Sequence, residues 1–140
     1  MKRAVIFYQS KTGTTKNFAQ EIGAYLQTRE IETACLHVDQ YQECLLENAD
    51  FLIMGCWTKG LMVLFQRPDA IWNRFAKKIS IPGNSKIALF TTYKILTGSM
   101  FKKMEKPLHP LNGLSIPRLK SRDGKLSDSD RAVLEEFIDD

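Results

Sequence analysis

A cluster of hydroxyl-bearing residues near the start of the chain has the composition of an anion site. It lies between an apolar segment, residues 3–8, and an amphipathic segment, residues 16–27. Its members are Ser10, Lys11, Thr12, Gly13, Thr14 and Thr15. Because a helix start presents unpaired N–H groups and about half a positive elementary charge, hydroxyls placed there predict a phosphate site. Gly13 would let the backbone approach such a ligand closely.

This loop does not match the two common nucleotide-binding patterns. It lacks the G-x-x-x-x-G-K-[ST] pattern of a P-loop and the G-x-G-x-x-G pattern of a dinucleotide-binding turn. A nucleoside triphosphate or NAD is therefore not the expected ligand. A simpler interpretation of the loop is that its serine and threonines only cap the helix that follows.

The loop resembles the FMN-phosphate loop of flavodoxins. The resemblance is carried by Ile6-Phe7-Tyr8-Gln9-Ser10-Lys11-Thr12-Gly13-Thr14-Thr15, with Ala19 four residues further on. It implies an FMN cofactor with its phosphate in this loop and its ring between two later loops. It extends over essentially the whole chain, with its specificity concentrated in residues 6–19, so we expect one flavodoxin-like domain over residues 1–140.

Three apolar runs predict the strands that position this loop, at residues 4–8, 51–54 and 87–90. Their hydrophobicity is continuous rather than alternating, which is typical of parallel strands covered on both faces. Two weaker candidates lie at 33–38 and 113–119, and Pro117 places the latter at a sheet edge. These strengths match an α/β fold with a doubly wound five-stranded parallel sheet in the order 2-1-3-4-5 and helices on both faces, as in flavodoxins.

Helical patterns separate the predicted strands. Residues 16–27 form one, residues 68–79 another that begins with Pro68, and the last is capped by Ser127 with Asp130 in capping-box spacing. Shorter helices are expected within 39–49 and 98–106. The side chains expected to face the core are Phe18, Ile22, Leu26, Ile71, Phe75, Ile79, Val133, Leu134, Phe137 and Ile138.

A ligand of such a sheet lies beyond the carboxyl ends of its strands. The residues that follow the other two strong strands therefore complete the predicted cofactor site: Cys56, Trp57, Thr58, Lys59, Gly60, Thr91, Thr92 and Tyr93. Trp57 and Tyr93 lie on different loops, and a planar ring sandwiched between them would suit both aromatic stacking and the flavodoxin resemblance. The alternatives are that Trp57 belongs to the core and that Tyr93 only ends a strand.

Two lysines depart from the flavodoxin pattern. Many flavodoxins carry acidic residues in the ring-binding loops, whereas this chain has Lys59 and Lys94 there. The departure bears on the electronic environment of the ring. Further lysines at 102, 103 and 106 form either a solvated helix face or a surface that docks an acidic redox partner.

Composition limits the remaining possibilities. The chain has 140 residues, a net charge of +4 and no apolar run approaching the length of a membrane span, so a cytoplasmic protein with no membrane span is expected. Cys35, Cys44 and Cys56 form no C-x-x-C pair, which indicates reduced thiols rather than a disulfide framework or zinc site. The basic bias is local, with no stripe typical of nucleic-acid binding.

Other functions of this topology need residues that the chain lacks. A response-regulator receiver needs an acidic cluster after the first strand and an Asp after the third, but Gln9 and Gly55 begin those loops. A low-molecular-weight tyrosine phosphatase needs Cys-x₅-Arg, and a serine hydrolase needs G-x-S-x-G. The expected function is therefore FMN-dependent electron transfer. The near-minimal length favours a carrier over a small FMN-dependent reductase, and a binding module that has lost flavin is the alternative from another class.

Overall fold

The computed structural model describes residues 1–61, 64–94, 97–108 and 116–139, with the backbone alone for 59–61 and 64–66. Five strands form one parallel sheet: β1 (Arg3–Gln9), β2 (Glu32–His37), β3 (Phe51–Trp57), β6 (Lys86–Thr92) and β7 (Arg118–Ser121). Their order is β2-β1-β3-β6-β7. When only the parallel strands are numbered, this order is the predicted 2-1-3-4-5.

The three strong strands are central because both of their faces are buried. Along β1, Val5 and Phe7 point into one apolar cluster, while Ala4 and Ile6 point into a second cluster on the opposite face. This alternation follows from the two-residue period of a strand. Continuous hydrophobicity in β1, β3 and β6 therefore correctly indicated strands buried on both sides.

Helices cover both faces as predicted: α1 (Thr14–Thr28) and α4 (Asp128–Asp139) on one face, α2 (Ala70–Lys78) and α3 (Met100–Glu105) on the other. The expected apolar stripe of α1 is fully buried at Phe18, Ile22 and Leu26. The Ser127 cap of α4 is also confirmed, since its Oγ accepts a hydrogen bond from the Asp130 N–H at 3.1 Å. Among the described residues, no helix is long and apolar enough to cross a membrane.

The predicted helix at 68–79 is placed differently. It begins at Ala70, because the Asp69 side chain accepts a hydrogen bond from the Ile71 N–H at 2.9 Å and serves as the N-cap. Its buried residues are Trp72, Phe75 and Ala76, whereas Ile71 and Ile79 are only partly buried. Trp72 Nε1 donates to the Met104 carbonyl at 3.3 Å, which joins α2 to α3.

Three other expectations about elements need correction. The short helix expected within 39–49 is replaced by two 3₁₀ turns, Val38–Gln40 and Glu43–Leu46. The fifth strand, expected at 113–119, is Arg118–Ser121, and residues 113–115 lie outside the described part. An antiparallel hairpin of β4 (Lys59–Leu61) and β5 (Leu64–Arg67) was not predicted.

Candidate functional site

A cavity of about 380 Å³ opens at the carboxyl ends of β1, β3 and β6. Parallel pairing brings these ends to one edge of the sheet, with Gln9 opposite Cys56 and Trp57 opposite Thr92. The residues lining it are Lys11, Thr12, Thr14, Thr15, Trp57, Thr58, Thr92, Tyr93, Lys94 and Arg122. Four segments that are distant in sequence therefore meet at this edge, three of them in the loops that the sequence predicted.

The start of α1 forms one wall. Gly13 is the N-cap with φ 93°, a left-handed conformation that favours glycine, and no side chain caps the helix. The interpretation that the hydroxyls only cap the helix is therefore wrong. Because the first N–H groups of a helix have no acceptor within it, this uncapped turn presents donors and the positive end of the helix dipole to a ligand.

The four hydroxyls of the predicted phosphate loop have different roles. Those of Thr12 and Thr14 lie 3.4 Å apart, and both residues line the cavity. Ser10 Oγ instead accepts a hydrogen bond from the Gly13 N–H at 3.0 Å, which closes the loop on itself. Thr15 is buried, and its hydroxyl pairs with that of Thr92 at 2.6 Å. Thr12 and Thr14 therefore line the cavity with hydroxyls that bond only to each other among the described residues, while Ser10 and Thr15 hold the loop in place.

Trp57, the last residue of β3, and Tyr93, in the loop after β6, line the same cavity. The indole Nε1 of Trp57 is buried and has no hydrogen-bond acceptor among the described residues. The Nζ of Lys11 lies 5.0 Å from the Trp57 ring centroid. Tyr93 is held from the backbone, where its N–H donates to the Ser121 carbonyl at 3.1 Å.

Two predicted site residues point their side chains away from the cavity. Cys56 is fully buried in the apolar cluster beneath α2, and burial, with a smaller effect from Asp69, raises the pKa of its thiol well above the ordinary value. The Thr91 hydroxyl donates to the Cys56 carbonyl at 2.7 Å. Both follow from strand alternation, since their neighbours Trp57 and Thr92 take the opposite direction. The backbone of Lys59 and Gly60 lies in β4, and the side chain of Lys59 lies outside the part of the chain that the structure describes.

The charges around the cavity are positive. Lys11, Lys94 and Arg122 line it, and no lining residue in the described part of the chain is a carboxylate. Arg122 was missed by sequence reasoning, although it follows the fifth strand and so falls at the same sheet edge. Its Nε donates to the Lys94 carbonyl at 3.2 Å, which ties the loop after β7 to the loop after β6.

The loop after β7 also supports the start of α1. The Asn17 amide donates to the Gly124 carbonyl at 2.8 Å. Gly124 has φ 82°, and a Cβ there would stand 2.8 Å from the Thr14 carbonyl oxygen. Only glycine permits this contact, so Gly124 sets the position of the first turn of α1.

A sequence profile of the flavodoxin domain family matches residues 5–106, which is most of the chain and includes the loops after β1, β3 and β6. The chain belongs to the flavodoxin domain family. No curated protein sequence matches it.

Solved flavodoxin structures share this architecture. Oxidised flavodoxin 2 from Bacillus cereus has 18% identity and a TM-score of 0.73, covering 96% of this chain and 94% of that chain. A flavodoxin from the domain Archaea has 19% identity and a TM-score of 0.71, over 98% of this chain and 94% of that one. A Fusobacterium nucleatum flavodoxin variant bound to flavin mononucleotide has 16% identity and a TM-score of 0.62, over 100% and 95%. At these identities the likeness establishes the fold.

The residues of this flavodoxin-domain chain suit a flavin phosphate and ring. The uncapped turn of α1 and two hydroxyls are donors of the kind that a phosphate needs, and Trp57 and Tyr93 line the same cavity with aromatic side chains. The cavity volume of about 380 Å³ falls in the range of about 300–1,000 Å³ usual for small-molecule sites.

Proposed function

We propose that the chain binds FMN and carries electrons on it between redox partners. The observation that carries the proposal is a cavity that joins an uncapped helix start to two aromatic side chains, one at the end of β3 and one in the loop after β6. Thr12 and Thr14 would hold the phosphate together with the N–H groups of α1, and Trp57 and Tyr93 would cover the ring. Bound FMN supplies the one- or two-electron chemistry.

The protein contributes position and charge. The Thr15–Thr92 hydrogen bond fixes the phosphate loop against the end of β6. Lys11, Lys94 and Arg122 surround the cavity with positive charge, which favours a ligand that becomes anionic on reduction. These cations distinguish the chain from flavodoxins with acidic ring-binding loops.

We further propose that the redox partner is a protein with an acidic docking face. Lys102 and Lys103 are exposed on α3, and Lys106 follows them. Exposed cations on this helix would accelerate association with a negatively charged partner. The three free thiols suit a reducing compartment, so we extend the proposal to the cytoplasm.

A flavin titration tests the cofactor. Apo-protein is titrated with FMN, riboflavin and FAD while tryptophan fluorescence is followed, and FMN should bind most tightly because only its terminal phosphate suits the start of α1. Riboflavin binding as tightly as FMN would remove the phosphate site. Thr12→Asp should weaken FMN by more than tenfold through charge repulsion, while Ser80→Asp, an exposed site beyond α2, should leave affinity unchanged.

The two tryptophans provide a matched test of the ring position. Trp57 lines the cavity, whereas Trp72 is fully buried between α2 and α3. FMN should quench the fluorescence of Trp72→Phe strongly and that of Trp57→Phe weakly. If Trp72→Phe instead loses most of the quenching, the ring does not lie against Trp57.

A further inference from the structure

A second, larger cavity lies beside the proposed flavin site. It is a groove of about 870 Å³ between the start of α3, the edge strand β7 and the first turn of α4. Its lining residues include Tyr93, Phe101, Arg118, Lys120, Arg122, Asp123, Lys125, Ser127, Ser129 and Asp130. Its volume lies within the range of about 300–1,000 Å³ typical of small-molecule sites.

Four of these residues are cations and two are carboxylates. Arg118 is already engaged, since its guanidinium pairs with Glu105 at 3.2 Å and lies over the Phe101 ring. Asp123 is used within its own turn, where its Oδ1 accepts from the Lys125 N–H at 3.0 Å and from the Ser121 hydroxyl at 3.1 Å. The exposed cations that remain around the groove are therefore those of Lys120, Arg122 and Lys125.

The second carboxylate gives an independent indication of a ligand. Asp130 is only 6% exposed, and its Oδ2 has no hydrogen-bond partner. Burial raises the pKa of this carboxyl, which favours its neutral form and so reduces the negative charge beside the cations. Ser127 and the Lys120 backbone hydrogen-bond this carboxyl, and a hydroxyl or N–H donor brought by a ligand would satisfy the oxygen that is left without a partner.

The groove and the proposed flavin cavity share two lining residues, Tyr93 and Arg122. The Nζ of Lys120 lies 6.0 Å from the Tyr93 ring centroid on the groove side. A molecule in the groove would therefore be separated from a ring stacked on Tyr93 by that one side chain.

We infer that this groove binds a small anionic molecule, a polycarboxylate or phosphate ester that also carries a hydroxyl or N–H donor. Its anionic groups contact Lys120, Arg122 and Lys125, and its donor faces Asp130. The nearness of this ligand to a flavin rests on the proposed function, whereas its binding to the groove does not. The concave shape and the convergence of cations on it favour a small molecule, in contrast to the lysines spread along α3.

The test uses citrate, a hydroxylated tricarboxylate, as the probe. Full-length apo-protein labelled with ¹⁵N is titrated with citrate at low ionic strength, and a parallel titration with sodium chloride is matched in ionic strength. Citrate should cause saturable shifts in the amides of residues 120–125 and of Tyr93, while chloride should cause none that saturate.

Paired variants locate the site. Lys120→Gln/Lys125→Gln should weaken citrate binding about tenfold, because each exposed charge contact contributes a few-fold. The matched control is Lys77→Gln/Lys78→Gln, which removes two exposed cations from the end of α2 and should leave the affinity unchanged. Equal affinity in the two double variants would overturn the inference.

Further outcomes separate this inference from other possibilities. If poly-L-glutamate causes the shifts and citrate does not, the surface docks an acidic protein and the small-molecule site is refuted. If citrate binds in the groove but FMN does not bind the protein, the groove stands and the flavin proposal fails. If FMN binds but citrate gives no saturable shifts, the groove proposal alone is overturned.

Discussion

Replacement of Gly124 by alanine should damage both stability and FMN binding. The added Cβ would stand 2.8 Å from the carbonyl oxygen of Thr14, and backbone at that distance must move. The φ of 82° adds a further penalty, since a non-glycine residue in the left-handed region costs about 1–2 kcal/mol. Overpacking typically costs about 1–3 kcal/mol, so the unfolding free energy should fall by about 2–5 kcal/mol.

Two other glycines separate the conformational penalty from the steric penalty. Gly13 has φ 93°, but no atom lies within 4 Å of the position that a Cβ would take, so Gly13→Ala should lose only the conformational term of about 1–2 kcal/mol. Gly83 has neither a left-handed φ nor a neighbour within 4 Å, so Gly83→Ala should change stability by less than about 0.5 kcal/mol. Urea unfolding of the three apo-variants measures each difference.

The same variants test whether Gly124 positions the phosphate site. Displacement of Thr14 should weaken FMN roughly tenfold or more, because one hydrogen bond to a charged group contributes about 1.5–3 kcal/mol. Gly83→Ala should bind FMN like the unaltered protein. Equal stability of Gly124→Ala and Gly83→Ala would refute the steric reasoning. A stability loss without a loss of FMN affinity would refute the role of this contact in positioning the phosphate.

Three further predictions address charge, hydrogen bonding and pH. Lys94→Glu should lower the midpoint potential of bound FMN by roughly tens of millivolts, because it places a negative charge at the cavity. Lys77→Glu is the control. Equal midpoint potentials in the two variants would show that Lys94 does not influence the ring. Thr92→Val should cost about 1–3 kcal/mol of unfolding free energy, because it leaves the buried Thr15 hydroxyl unpaired. The double variant Thr15→Val/Thr92→Val should recover part of this lost stability. If the losses of the two single variants simply add in the double variant, the pairing of the two hydroxyls is contradicted. Burial raises the pKa of Asp130 in the folded state, so above pH 3.8 the folded protein binds more protons than the unfolded chain and loses stability as pH rises through the folded pKa. The melting temperature of Asp130→Asn should therefore rise relative to that of the unaltered protein from acidic to neutral pH. A difference in melting temperature that stays constant with pH would contradict this reasoning.

The amino-acid sequence by itself determined the sheet and the general place of the site. Continuous hydrophobicity in β1, β3 and β6 reflects burial on both faces, a property of the segments themselves. Because strands buried on both faces indicate a parallel sheet, the carboxyl ends of these strands must share one edge of it. The loops that contain Thr12, Trp57 and Tyr93 could therefore be assigned to one site without coordinates.

Tertiary structure decided which side chains of those loops reach the cavity. Thr12, Thr14 and Thr15 line it, but the Thr15 hydroxyl is paired with that of Thr92. Ser10 instead bonds the Gly13 N–H, because α1 begins at Thr14 rather than after the loop. Hydrophobic pattern leaves helix starts uncertain by a turn, and half a turn reverses the direction of a side chain.

The sequence pattern could not predict the long-range contacts, for a related reason. Arg122 lines the cavity, and Gly124 packs against Thr14, although more than a hundred residues separate them from the phosphate loop. No local periodicity encodes such pairs. They exist because α1 and α4 pack on the same face of the sheet, which brings the loop after β7 against the start of α1.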